Sequence, residues 1–75
     1  MKSINIYLRS MQDAIDFVNV VKNINGKASL SRGRYTINAK SIMSIFYLDL
    51  TKQLKLEIEN WKEEYATMLE RYQKN

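Results

Sequence analysis

A chain of 75 residues, 45% hydrophobic and 27% charged, describes one globular domain over residues 1–75 and excludes both disorder and a second core. Cysteine and histidine are both absent, which excludes disulfides and zinc-type sites; with no spaced acidic loop either, no metal or cofactor is expected. Twelve basic and eight acidic side chains leave a net charge of +4, which favours acidic partners only where it is focused on one face.

Ile4, Ile6 and Leu8 alternate with Asn5 and Tyr7, the two-residue period of a half-buried strand. A helix is expected next. Met11, Ala14, Phe17, Val18, Val21 and Ile24 fall in one apolar arc, opposite Gln12, Asp16, Asn19 and Asn23. Asn25-Gly26 is expected to end it, since glycine takes the left-handed conformation of a helix C-terminus. A hairpin fits residues 27–38, with Ala28 and Leu30 in one strand, Tyr35 and Ile37 in the next, and Ser31-Arg32-Gly33-Arg34 as the turn. A short helix is predicted from Ser41 to about Leu48. Leu54, Leu56 and Ile58 then alternate with Lys55, Glu57 and Glu59 in a final strand. Trp61, Tyr65, Met68, Leu69 and Tyr72 form the apolar stripe of one C-terminal helix, with Lys62, Glu63, Glu64, Glu70, Arg71 and Lys74 on its back. The order βαββαβα predicts an α+β fold, a four-stranded antiparallel sheet with three helices on one face.

The segment Asn38-Ala39-Lys40-Ser41-Ile42-Met43 resembles the regulatory-serine motif of HPr, the histidine-containing phosphocarrier of the bacterial sugar phosphotransferase system. The predicted element order is also that of HPr, an open-faced β-sandwich. The resemblance runs from Ile4 to Tyr72 and reaches motif strength at residues 38–43. In HPr the active histidine stands in a Gly-His-Ala-Arg-Pro type stretch between the first strand and the first helix. Counting back from Ser41 brings Arg9-Ser10-Met11-Gln12-Asp13 to that place. Ser10 then stands for the histidine, Gln12 for the arginine and Asp13 for the proline; a shift of one or two residues puts Gln12 at the histidine position instead. Neither register restores a histidine, so phosphohistidine transfer is excluded. Ser10, Met11, Gln12 and Asp13 form a degenerate phosphocarrier site, and Ser10 with Asp13 three positions later also resembles a capping box.

The resemblance implies a regulatory phosphorylation at Ser41 by HPr kinase/phosphorylase, after which the phosphorylated form meets the catabolite control protein. At a helix start, a phosphate there would face free N–H groups beside Lys40. The expected partner-binding residues are Lys40, Ile42, Met43 and Tyr47. Seven apolar residues, Ile42, Met43, Ile45, Phe46, Tyr47, Leu48 and Leu50, surround too much of a short helix for one sheet-facing side, so some must stay exposed. The glycine typical after this methionine is Ser44 here, a departure that points to altered partner specificity.

An alternative rests on Lys27, Arg32 and Arg34 with Tyr35. Cations beside an aromatic bind single-stranded nucleic acid through phosphate contacts and stacking, weakly and with strong salt dependence for so few charges. A third possibility is a scaffolding or dimerising domain with exposed strand edges. Glu63 and Glu64 point apart on a helix and do not make an acid/base pair, and no phosphate loop or nucleophile elbow is present. No apolar run approaches the ~20 residues of a membrane span, and Met1-Lys2-Ser3-Ile4-Asn5 lacks the features of a signal peptide. The leading expectation is a non-catalytic, HPr-like regulatory or protein-binding domain in the cytoplasm, with a protein rather than a nucleic acid as partner. The oligomeric state is not specified.

Overall fold

Leucine and isoleucine at every second position give each strand one apolar side, and the sheet brings those sides into register. The computed structural model describes residues 1–73; Lys74 lies outside them. Strands β1 (Lys2–Ile6), β2 (Ala28–Arg32), β3 (Tyr35–Asn38) and β4 (Leu54–Ile58) form one antiparallel sheet in the order β1-β4-β2-β3. The last strand in sequence therefore lies between the first two. Ile4 pairs with Leu56, Leu56 with Leu30 and Leu30 with Ile37, one apolar row across all four strands. The neighbouring row, Asn5-Lys55-Ser31-Thr36, is polar and points to the opposite, open face. The α+β sandwich with one uncovered sheet face is the expected architecture.

Ile6, Leu30, Leu54, Leu56 and Ile58 from the sheet meet Phe17, Val18, Val21, Ile45 and Leu69 in one buried cluster. Each such side chain contributes about 1.5–3 kcal/mol, which matters in a domain too small to bury much surface. Leu8 also reaches this cluster, but β1 stops at Ile6. The Tyr7 N–H leaves the ladder and donates to the Tyr72 carbonyl at 2.7 Å.

Helix α1 (Met11–Val21) buries Ala14, Phe17, Val18 and Val21. Two expectations change here. Met11 is exposed rather than part of the buried arc, and the helix ends before Asn25-Gly26. Ile24 is buried from a turn beyond Lys22, and Gly26, at φ +87°, redirects the chain into β2. A Cβ at Gly26 would lie 2.7 Å from the Asn60 side chain. The hairpin turn is also shorter than expected. Ser31 and Arg32 pair with Thr36 and Tyr35, leaving only Gly33 and Arg34 in the loop. Gly33 at φ +62°, with no positive φ at Arg34, gives the type II′ pattern that suits the twist of a hairpin.

Helix α2 spans only Ile42–Ile45, not Ser41 to Leu48. After it the backbone tightens, with Tyr47 N–H to Ser44 O and Leu48 N–H to Ile45 O. Those i, i+3 bonds match the spacing of the two buried anchors, Ile45 and Leu48. The single C-terminal helix is two, α3 (Glu64–Met68) and α4 (Glu70–Gln73), so the described residues hold four helical segments rather than three. The break is at Leu69, φ −103°, ψ 2°. Tertiary contact outweighs helix continuity: Tyr65, Leu69 and Tyr72 all reach the core, and Tyr72 lies edge-on to Phe17 at 5.4 Å. Trp61 precedes α3, half-buried, edge-on to Tyr65 and under the Lys2 ammonium at 5.1 Å.

Candidate functional site

The start of α1 is occupied by capping. Ser10 takes an extended conformation and its Oγ accepts from the Asp13 N–H at 3.1 Å. The Asp13 carboxylate answers with Oδ2, which accepts from the Arg9 N–H at 3.0 Å, while Oδ1 meets Arg71 Nη2 at 3.3 Å. A carboxylate at this position also complements the helix dipole. Gln12 donates to Asp16 at 3.0 Å, and Met11 stands 62% exposed. Ser10 and Asp13 thus serve the helix, and a groove of about 450 Å³ beside them runs from Tyr7–Met11 to Leu50–Lys52.

The segment 38–43 does several structural jobs in succession. Asn38 Oδ1 accepts from the Lys40 N–H at 2.9 Å, an Asx-type turn that ends β3. Ala39 is fully buried, and its N–H donates to the Ala28 carbonyl at 2.9 Å. The Lys40 ammonium donates to the Ile24 and Gly26 carbonyls at 2.6 and 2.9 Å, clipping the loop after α1 to the loop before α2. Ser41 caps α2, its Oγ accepting from the Ser44 N–H at a long 3.4 Å. Ile42 is half-buried against the core, whereas Met43 is 66% exposed. The ammonium expected to favour a phosphate at Ser41 is therefore held by backbone carbonyls.

Beyond Met43, α2 and its following turn expose Phe46 and Tyr47. Helix α1 is in contact with α2 and exposes Met11 and Ile15. Exposure of Met43, Phe46 and Tyr47 is what the crowded sequence of α2 required, and α1 adds Met11 and Ile15 from the neighbouring helix. Met11, Ile15 and Phe46 were not among the expected contacts, Met11 having been expected in the buried arc and in the degenerate phosphocarrier site. For Phe46 the signal was the excess of apolar residues on a short helix; for Ile15 it was a position adjacent to, not within, the buried arc.

The basic residues of the hairpin do not form one group. Lys27 immediately precedes β2, at the opposite end from Arg32 and about 17 Å away at ~3.3 Å per residue. Arg32, Arg34 and Tyr35 instead face Tyr47, Leu48 and Asp49 across a groove of about 590 Å³. The Thr51 hydroxyl and N–H, both donating to Asp49, hold that carboxyl below its ordinary value, with Arg32 and Lys52 adding to the effect. Sequence reasoning missed Asp49, because only the fold brings residue 49 to the hairpin. Among the described residues, no cluster of three or more acidic, histidine or cysteine side chains is placed to hold a metal, and no helix is long and apolar enough to cross a membrane.

No family model and no curated protein sequence matches the chain. A solved structure does: the crystal structure of HPr-C-His from Thermoanaerobacter tengcongensis aligns with a TM-score of 0.79 at 25% identity, covering 95% of this chain and 89% of that one. The chain has the HPr fold, as the serine motif and element order implied.

Proposed function

We propose that this chain is a non-catalytic regulatory domain that uses an HPr-like fold to bind protein partners. The observation that carries this reading is the apolar surface of Met11 and Ile15 on α1 with Met43, Phe46 and Tyr47 on and after α2. Several exposed apolar side chains on two helices in contact favour association with another protein. The chain contains no histidine, so it has lost the group that carries a phosphoryl in the family. Serine does not replace it, because a serine phosphate is a stable ester, and Ser10 is committed to its cap. Ser10, Met11, Gln12 and Asp13 are in this reading a degenerate phosphocarrier site, and the protein takes part in carbon catabolite regulation in a bacterial cytoplasm.

Ser41 is the regulatory position in this reading. Among the described residues its hydroxyl makes only a 3.4 Å bond, so phosphorylation would sacrifice little stability while placing roughly −1.5 to −2 charge beside Met43. Lys40 acts by holding the Ser41 segment to the loop after α1 rather than by touching the partner.

Incubation with HPr kinase/phosphorylase and ATP, read by intact mass, tests the modification. One added phosphate, absent from Ser41→Ala, is expected; no phosphate removes Ser41 from the regulation. The docking surface is tested separately by binding of the phosphorylated protein to the catabolite control protein. Met43→Asp is expected to weaken that binding by about ten-fold or more at unchanged Tm. Binding unaffected by Met43→Asp would sink the α2 surface.

A further inference from the structure

The groove between the hairpin tip and the turn after α2 brings together guanidinium, carboxylate and aromatic groups; of these, only Tyr47 is shared with the α1–α2 surface. Its volume of about 590 Å³ lies within the ~300–1,000 Å³ of small-molecule sites. Tyr35 and Tyr47 both line it, 67% and 85% exposed, two aromatic side chains that add little to the core. Arg34 is exposed at the hairpin tip, while Arg32 is half-buried and its Nε is buried without a hydrogen-bond partner among the described residues. The Arg32 and Arg34 guanidinium groups line the groove and offer donors in the fork geometry that suits a phosphate. Asp49 supplies the complementary function. Its Oδ1 accepts both Thr51 donors, and among the described residues Oδ2 accepts none, which leaves it for a donor on a ligand. Arg32 and Asp49 influence each other electrostatically, yet no ion pair joins them among the described residues.

We propose that this groove binds a nucleoside phosphate, with the base against Tyr35 and Tyr47, the phosphate on Arg32 and Arg34, and a sugar hydroxyl or exocyclic amine donating to Asp49. The combination selects the ligand. Guanidinium pairs favour a phosphate, aromatic faces stack a base of any identity, and the carboxylate demands a donor on the same molecule. An acidic peptide satisfies the arginines but meets the Asp49 carboxylate. An apolar peptide leaves the two guanidinium groups of the groove without an acceptor. A long nucleic-acid strand needs a continuous basic track, and Lys27 is about 17 Å away along β2. The site therefore fits a single nucleotide, either free or at the exposed end of a strand.

Titration of the full chain with AMP, followed by backbone amide shifts, tests the proposal. Saturable shifts at residues 32–35 and 47–49, complete at or below about 1 mM, are expected. Arg34→Ala and Tyr47→Ala, both at exposed positions outside the core, should each weaken AMP by about ten-fold while leaving the remaining spectrum in place. Ribose 5-phosphate and adenosine should each bind about ten-fold more weakly than AMP. A short oligonucleotide that binds more tightly than AMP, at the same residues, assigns the strand end as the source; one that binds no better assigns the free nucleotide. The proposal is overturned if AMP produces no saturable shift, if both variants bind AMP normally, or if a phosphotyrosine peptide binds more tightly than AMP. Arg34→Ala leaves the α2 docking surface intact, so this result stands apart from the test of partner binding.

Discussion

Two serines open helices in this chain, and their surroundings differ in a way that separates structure from available surface. Ser10 begins an 11-residue helix, bonds the Asp13 N–H at 3.1 Å, and belongs to a set in which Asp13 also holds the Arg9 N–H and Arg71. Ser41 begins a four-residue helix, and among the described residues its hydroxyl makes one long bond of 3.4 Å beside exposed Met43. The local chemistry is the same, a hydroxyl accepting from an amide three residues on. A dense set of partners turns the first serine into a fixed part of the helix. Sparse partners and an apolar neighbour leave the second free to change with little loss of stability.

The same contrast predicts a graded series of effects. The largest belongs to Ile45→Ala, which removes the fully buried anchor of α2 and is expected to cost about 2–4 kcal/mol in urea unfolding. A cost below 1 kcal/mol would mean that α2 is not pinned by its buried side. Ser10→Ala comes next, at about 1 kcal/mol, or roughly 4–8 °C of Tm for a domain of this size. Ser41→Ala is expected to cost less than about 0.5 kcal/mol, given its weaker bond. Equal losses for the two serines would break the comparison outright. Arg71→Ala should cost only a few tenths of a kcal/mol, because the Arg71 side chain is 62% exposed and its 3.3 Å contact with Asp13 is long, and the loss should shrink in high salt.

One effect appears only at alkaline pH. Burial raises the Tyr72 phenol above its ordinary 10.0, despite the adjacent Arg71 cation. The unfolded chain therefore loses this proton first. Stability attributable to Tyr72 is complete below pH 10.0 and declines as pH rises through the folded-state value. Tyr72→Phe should lessen the alkaline decline in Tm relative to the parent, and an identical profile would remove Tyr72 as its source.

Much of this architecture was readable because period-two patterns are local. Leu54, Leu56 and Ile58 could satisfy their alternation only by facing one covered side, and Ser10 followed by Asp13 specified a helix start by itself. The C-terminal stripe was legible as helix but not as two helices. Its break at Leu69 depends on contacts of Tyr72 with Phe17 and Tyr7, residues more than fifty positions away. The candidate surface divides similarly. Exposure of some α2 side chains followed from counting, since seven apolar residues cannot share one side of a short helix. Which ones stay exposed depended on the 3₁₀-like turns that bury Ile45 and Leu48.

What the sequence alone determined is its chemical inventory and its local periods: no histidine to carry a phosphoryl group, no cysteine, and strands and helices in HPr order. Those properties depend on composition or on neighbours a few residues apart. Only the tertiary structure decided that Lys40 holds the loop after α1, that Lys27 stands away from Arg32 and Arg34, and that Asp49 and Tyr47 meet the hairpin tip. Each of these depends on sheet order and chain reversal, which set the distance between residues remote in sequence. A count of charges states how many are present; the packing of β4 between β1 and β2 sets the frame in which they meet.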